Sequence, residues 1–99
     1  MSDTEQPVVT HDPVRRRYEI ALGGERVGLA AYTEDGDRRI FHHTEVDPAL
    51  RGRGLASTLV GFALTDTRDA GWRIVPQCPY VQHWIASHEG FADRVEESA

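Results

Sequence analysis

Three groups of residues in this sequence have types and spacings suited to chemistry. The first is the run Arg51-Gly52-Arg53-Gly54-Leu55-Ala56-Ser57, in which two arginines and two glycines lead into a long amphipathic segment. Glycine lacks a Cβ, so the backbone here can turn tightly and bring its N–H groups against a ligand. A helix beginning at this point leaves its first amides without backbone partners, and their partial positive charge adds to that of the guanidinium groups. The combination suits an anion, and a pyrophosphate is its natural guest. The second group is His43 and Glu45, two apart on a strand and therefore on one face, with side chains able to take up a proton. The third is Cys78, at the start of a helical stripe, where the helix dipole favours a thiolate. Each also has a plainer reading: a tight connection, a hydrogen-bonded ring beside a solvated carboxylate, and a packed thiol.

The elements that must position these groups are legible from hydrophobic periodicity. Val14 to Leu22 alternates with Tyr18, Ile20 and Leu22 on one face, which predicts a strand. Gly23-Gly24 suits a tight hairpin turn into a second strand over Arg26 to Thr33. Arg38 to Val46 is a third, with Ile40, His42, Thr44 and Val46 on one side and Phe41, His43 and Glu45 on the other. Apolar groups on both sides predict a sheet covered on both faces. Leu55, Leu59, Phe62 and Ala63 then recur at helical intervals up to Gly71, a residue free to take a left-handed C-cap. Trp72 to Gln77 is a short fourth strand, and Cys78-Pro79 opens a second helix bearing Tyr80, Val81, Trp84, Ile85 and His88. Residues 1–13 are polar and read as a mobile N-terminal tail, which leaves 14–99 as a single domain. The expected order is β-β-β-α-β-α, an α/β (α+β) fold with a mostly antiparallel central sheet.

Read by spacing, Arg51-x-x-Gly54-x-Ala56 resembles the coenzyme A pyrophosphate loop of the GCN5-related N-acetyltransferases, Gln/Arg-x-x-Gly-x-Gly/Ala. From Tyr18 to Val95 the chain is similar to the small YjdJ-type branch of that superfamily, with His43-Thr44-Glu45-Val46 before the loop and Pro76-Gln77-Cys78-Pro79-Tyr80-Val81 after the helix. The resemblance implies a truncated version of that fold. It also implies acetyl-CoA or coenzyme A held by Val46, Arg51, Gly52, Arg53, Gly54, Leu55, Ala56 and Ser57, with the pantetheine arm along the third strand where it parts from the fourth. The implied activity is transfer of an acetyl group to an amine. In that activity Glu45 or His43 is the base, and amides near Val46 hold the thioester oxygen. The amine attacks directly, or the acetyl group passes through Cys78. Larger members insert helices between their first two strands and add strands at the end; here a Gly-Gly turn and a helix stand in those places. An open acceptor site is therefore expected, fitting the amine of a protein or peptide, or one completed by another subunit. The alternative is a non-catalytic coenzyme A or acyl-CoA binding or sensor module, in which Cys78, His43 and Glu45 only pack.

Composition narrows the remaining classes. At 99 residues the chain holds one modest core, and a monomer or weak homodimer is expected. A net charge of −5 opposes nucleic-acid binding, and Arg15-Arg16-Arg17 reads as a solvated strand start. The lone cysteine excludes an internal disulfide and, with no leader-like apolar stretch near Met1, points to a reducing, cytoplasmic setting. No run is apolar enough to span a bilayer, so no membrane partner is expected. His83 and His88 lack partners at ligand spacing, so no metal is expected, and Trp72 and Trp84 read as packing.

Overall fold

A computed structural model describes residues 6–96. Its elements are β1 (Val8–Asp12), β2 (Arg17–Leu22), β3 (Glu25–Asp35), β4 (Arg38–Val46), α1 (Leu55–Asp69), β5 (Arg73–Pro76) and α2 (Pro79–Ala86), with single 3-10 turns at Pro48–Leu50 and Ala92–Arg94. The five strands form one sheet in sequence order. Neighbours from β1 to β4 are antiparallel, and β5 joins β4 in parallel after the α1 crossover. This is the mostly antiparallel α+β arrangement that the periodicity predicts, with one strand more.

The additional strand corrects the reading of residues 1–13 as a tail. Val8–Asp12 pairs antiparallel with β2, setting Val9 opposite Ile20 and His11 opposite Tyr18. The β-branched Val8, Val9 and Thr10 suit a strand, and side-chain partners fix it to the sheet. The His11 ring stacks on Tyr18 at 4.2 Å and 8°, and its Nε2 lies 2.6 Å from the Tyr32 hydroxyl. Residues 1–5 of the expected tail lie outside the described residues.

A second correction concerns β4. Tyr32 pairs with Phe41 and Ala31 with His43, so His42 is an extra, bulged residue and the alternation shifts across it. Phe41 on one side of the bulge and Thr44 and Val46 on the other end up opposite Tyr32, Ala30 and Gly28, on one face of the sheet. His43 and Glu45 share the opposite face.

Only the first of these faces is covered by helices, not both as the apolar pattern of β4 suggests. α1 buries Leu55, Leu59, Val60, Ala63, Leu64 and Thr67. These pack with Tyr18, Ile20, Ala30, Tyr32 and Phe41, and Val81 and Trp84 of α2 join the same core. On the other face Leu29, Ala31 and Ile40 stay half-buried, and His43 and Glu45 are exposed.

The last turn of α1 closes a polar cluster over the start of β4. Arg39 is 6% exposed. Its Nη1 donates to the Tyr18 hydroxyl (2.9 Å) and to Thr67 Oγ1 (3.3 Å), and its Nε donates to Glu34 (3.4 Å). The guanidinium is sandwiched between Tyr32 and Trp72, 4.6 Å from each ring centre. Tyr18 in turn donates to Asp66 Oδ2 at 2.6 Å, and burial, with that bond, raises the phenol well above its ordinary pKa.

Candidate active site

The site begins where β4 ends. The Asp47 amide donates to Val27 O, and its carboxylate accepts the Ala49 amide at 3.0 Å, which folds Pro48–Leu50 into a tight turn. Gly52 and Gly54 then take φ of +89° and +74°, backbone that side chains with a Cβ rarely adopt. Gly54 is the left-handed N-cap of α1 and provides no side-chain cap. The first amide of the helix to return to the backbone is Thr58, which donates to Gly54 O at 3.0 Å. The amides of Leu55, Ala56 and Ser57 therefore precede the first helical bond, with the dipole of a 15-residue helix behind them.

A cleft of about 350 Å³ lies over this turn, lined by Val46, Asp47, Pro48, Leu50, Arg51, Gly52, Leu55 and Ala56. Five of the predicted coenzyme residues are thus on its wall: Val46, Arg51, Gly52, Leu55 and Ala56. Arg53, Gly54 and Ser57 are not; Gly54 shapes the turn, and the Ser57 hydroxyl accepts a hydrogen bond from Trp84 Nε1 at 3.1 Å. An arginine, open amides and a left-handed glycine are the donor set and cradle that a pyrophosphate requires.

The other end of the site lies where β4 and β5 part. Their last partners are Phe41 and Pro76. Phe41 O then accepts both the Gln77 and the Cys78 amides (3.0 and 2.9 Å), after which the chain turns into α2. β4 continues from His42 to Val46 with β3 alone beside it. That free edge is the splay expected along the third strand.

The candidate chemical groups divide across this strand. His43 and Glu45 meet on the open face, Nε2 to Oε1 at 2.8 Å, with side chains 54% and 59% exposed. With the proton on Nε2 and donated to the carboxylate, Nδ1 carries the lone pair and is free to act as a base. Cys78 lies on the other side. It is the N-cap residue of α2, 7% exposed, and its thiol bonds Thr44 Oγ1 at 3.6 Å on the helix-covered face. The fold brings His43 and Glu45 together and sets Cys78 behind them, across the strand.

Two contributors escape a reading of the sequence for reactive side chains. Gly28 pairs with Val46, and a Cβ there would stand 2.7 Å from Glu45 O and 2.9 Å from the Val46 side chain. Its bare backbone lets β3 and the end of β4 close together under the cleft. The signal was a glycine inside the alternating run Val27-Gly28-Leu29. The other is Trp84, whose partner lies 27 residues away and leaves no local signature. Among the described residues, no group of three or more His, Cys, Asp or Glu could hold a metal ion, and no helix is long and apolar enough to cross a membrane.

Comparison with known proteins identifies the family and the fold. The sequence profile described as GCN5-related N-acetyl-transferase matches residues 17–94. Protein NATD1 of Bos taurus is 34% identical over 79 residues, covering 78% of this chain and 70% of that protein. The solution structure of a GCN5-like protein from Staphylococcus aureus superposes with a TM-score of 0.69 at 16% identity, covering 93% of this chain and 90% of that one. A GNAT family acetyltransferase from Brucella melitensis, solved in complex with acetyl-CoA, has a TM-score of 0.56 at 19% identity over 70% of this chain and 51% of that one. Sequence profile, relatives and fold agree, and the chain belongs to the GCN5-related N-acetyltransferase family.

Proposed function

We propose that this protein transfers an acetyl group from acetyl-CoA to an amine presented by a protein or peptide. The observation that carries the reading is the uncapped start of α1 beside Arg51, opening into the cleft at the end of a splayed β4. Arg51 and the amides of Gly52, Leu55 and Ala56 hold the pyrophosphate; Gly54 gives them room, and Arg53 and Ser57 flank the turn. The free edge of β4 from His42 to Val46 orients the pantetheine arm through backbone hydrogen bonds, as a sheet edge orients an added strand. Bound acetyl-CoA supplies an activated acyl thioester. His43 Nδ1 takes the proton from the acceptor's ammonium group, and Glu45 holds the ring and stabilises its charge. Backbone N–H groups near Val46 donate to the thioester oxygen as it gains charge; the C–S bond then breaks, and coenzyme A leaves as its thiol with a proton from the newly acylated nitrogen. An amine on a protein surface can reach this pair because the sheet face carrying it is uncovered.

One observation supports a second route. The Cys78 thiol bonds Thr44, the residue between His43 and Glu45, and so lies against the same stretch of β4 from behind. In that route Cys78 Sγ attacks the thioester carbon and displaces coenzyme A, which leaves as its thiol with the cysteine's proton; the amine then takes the acetyl group, and one of its protons restores the Cys78 thiol.

Three measurements separate the readings. Calorimetric titration with coenzyme A should give saturable heat and a thermal shift; no heat and no shift at saturation would end the coenzyme reading. Release of coenzyme A thiol from acetyl-CoA should depend on lysine-containing peptides, and His43→Ala should lower it roughly a hundredfold. Turnover with none of a broad set of amines would leave the non-catalytic binding module. Intact mass after incubation with acetyl-CoA decides the route: a hydroxylamine-labile acetyl adduct absent from Cys78→Ser supports passage through the thiol.

A further inference from the structure

We infer that Trp84 is a positioning residue of the coenzyme site: its indole N–H, bonded to Ser57, sets the separation between the pyrophosphate turn and the start of α2. The inference rests on the coenzyme reading above. The two ends of the site belong to different elements, with Arg51, Gly52, Leu55 and Ala56 around the start of α1 and the splayed β4 edge beside the start of α2. The N-terminal end of α2 is mounted on the sheet, through the Cys78 amide on Phe41 O (2.9 Å) and Gln82 Nε2 on Pro76 O (2.9 Å). Two residues beyond Gln82, Trp84 Nε1 to Ser57 Oγ at 3.1 Å is the side-chain hydrogen bond that ties α2 to α1 among the described residues.

The indole is held as a rigid spacer. Its ring lies 3.1 Å from where a Cβ of Gly61 would stand, so α2 approaches α1 as closely as a bare helix surface permits. The His88 ring stacks on it at 3.7 Å and 7°, and Phe91 meets it edge-on at 5.4 Å. Ser57 is also held differently from two other hydroxyls at the helix ends. Thr58 and Ser87 turn their hydroxyls back onto carbonyls of the preceding turn, Gly54 O at 3.1 Å and Trp84 O at 3.2 Å. The oxygen of Ser57 instead accepts the tryptophan N–H, in the first turn of the helix whose amides face the cleft. The hydroxyl therefore serves the helix–helix spacing and does not cap its own helix.

Coenzyme A spans both ends of the site, whereas its 3′-phospho-ADP half needs only the turn. Loss of the tie therefore weakens the whole coenzyme and spares the fragment. The experiment is titration calorimetry of the full chain with coenzyme A and with 3′-phospho-ADP, for wild type, Trp84→Phe, Ser57→Ala and the double variant. Each single variant should bind coenzyme A about tenfold more weakly, the scale of one hydrogen bond, with 3′-phospho-ADP unchanged within about twofold. The double variant should be no weaker than either single one. Equal weakening of both ligands, or no change in either, overturns the inference. A wild type that binds neither ligand overturns the coenzyme reading and this inference with it. Ser57→Ala leaves the indole and its packing intact, so it decides the question even where Trp84→Phe does not fold.

Discussion

At one end of α1, Asp66 and Thr67 join Tyr18, Arg39 and Glu34 in a closed set of hydrogen bonds, with the His11 ring stacked on Tyr18 and 3.7 Å from Asp66. The chain beyond that end satisfies itself as well: Gly71 takes φ +91°, its amide and that of Trp72 return to the last turn, and Arg68 reaches Gly90 O. At the other end of the same helix the N-cap is a glycine with no side-chain hydrogen bond, and Arg51 and Arg53 are exposed beside it. A helix has unpaired backbone groups at both termini, and here the protein pairs one set and leaves the other open toward a cleft. On the proposed function, stability and coenzyme binding fall at opposite ends of one element, and substitutions should separate them.

The largest effect belongs to the closed end. Arg39→Met keeps the stem between Tyr32 and Trp72 but strands the Tyr18 hydroxyl, Thr67 and Glu34 without their cation. The expected loss is about 3 kcal/mol of unfolding free energy, since removing one partner of a buried charged cluster leaves the others uncompensated. Urea titration measures it. Coenzyme affinity below the melting transition should stay within about twofold of wild type, and a parallel loss of affinity would break the proposed separation.

Gly54→Val is the counterpart at the open end. Its φ of +74° costs a β-branched residue about 1–2 kcal/mol, and the turn relaxes toward a negative φ to escape that cost. Coenzyme affinity should fall at least tenfold, out of proportion to the change in melting temperature. Arg51→Ala is gentler: about a fivefold loss of affinity that shrinks as salt is raised, with no change in stability, because an exposed arginine contributes screened charge and little packing. Equal affinity of Arg51→Ala and wild type at low salt would remove Arg51 from the phosphate site.

The sequence disclosed the open end better than the closed one, for a physical reason. The turn from Arg51 to Ala56 is contiguous, and its glycines and arginines act through local backbone geometry, so their spacing can be read directly. His43 and Glu45 are two apart on one strand, and period two suffices to place them together. The closed end is made of long-range partners, such as Tyr18 with Asp66 48 residues away and Arg39 with Thr67 28 residues away, which no local pattern encodes. β1 escapes for a related reason: Val8, Val9 and Thr10 suit a strand, but the segment between Pro7 and Pro13 is short, and the rings that hold it belong to β2 and β3. The bulge at His42 defeats simple alternation on β4, which is why His42 does not share a face with Thr44 and Val46 as the period-two pattern predicts.

His11 gives the smallest effect and tests the boundary of the closed end. Burial lowers its pKa below 6.5, and the positive charge of Arg39 lowers it further; Asp66, Asp12 and Glu34 oppose this without reversing it. The unfolded chain therefore binds this proton more readily than the folded one. The contribution to stability is complete above about pH 6.5 and is lost as pH falls from there through the folded pKa. Protonation also places a cation beside Arg39 in the ring stack that holds β1 to the sheet, so the first consequence should be local. Amide-exchange protection in Val8–Asp12, corrected for the intrinsic rate, should fall in the window below about pH 6.5 more than protection in the paired region of β3 and β4. His11→Phe keeps a ring on Tyr18 and removes the proton site, so its melting temperature should vary less with pH over that window than that of wild type. Coenzyme affinity should not follow the β1 exchange rate. If the two move together, the ends of α1 are coupled through the sheet, and the division of labour along this helix gives way to a single cooperative unit.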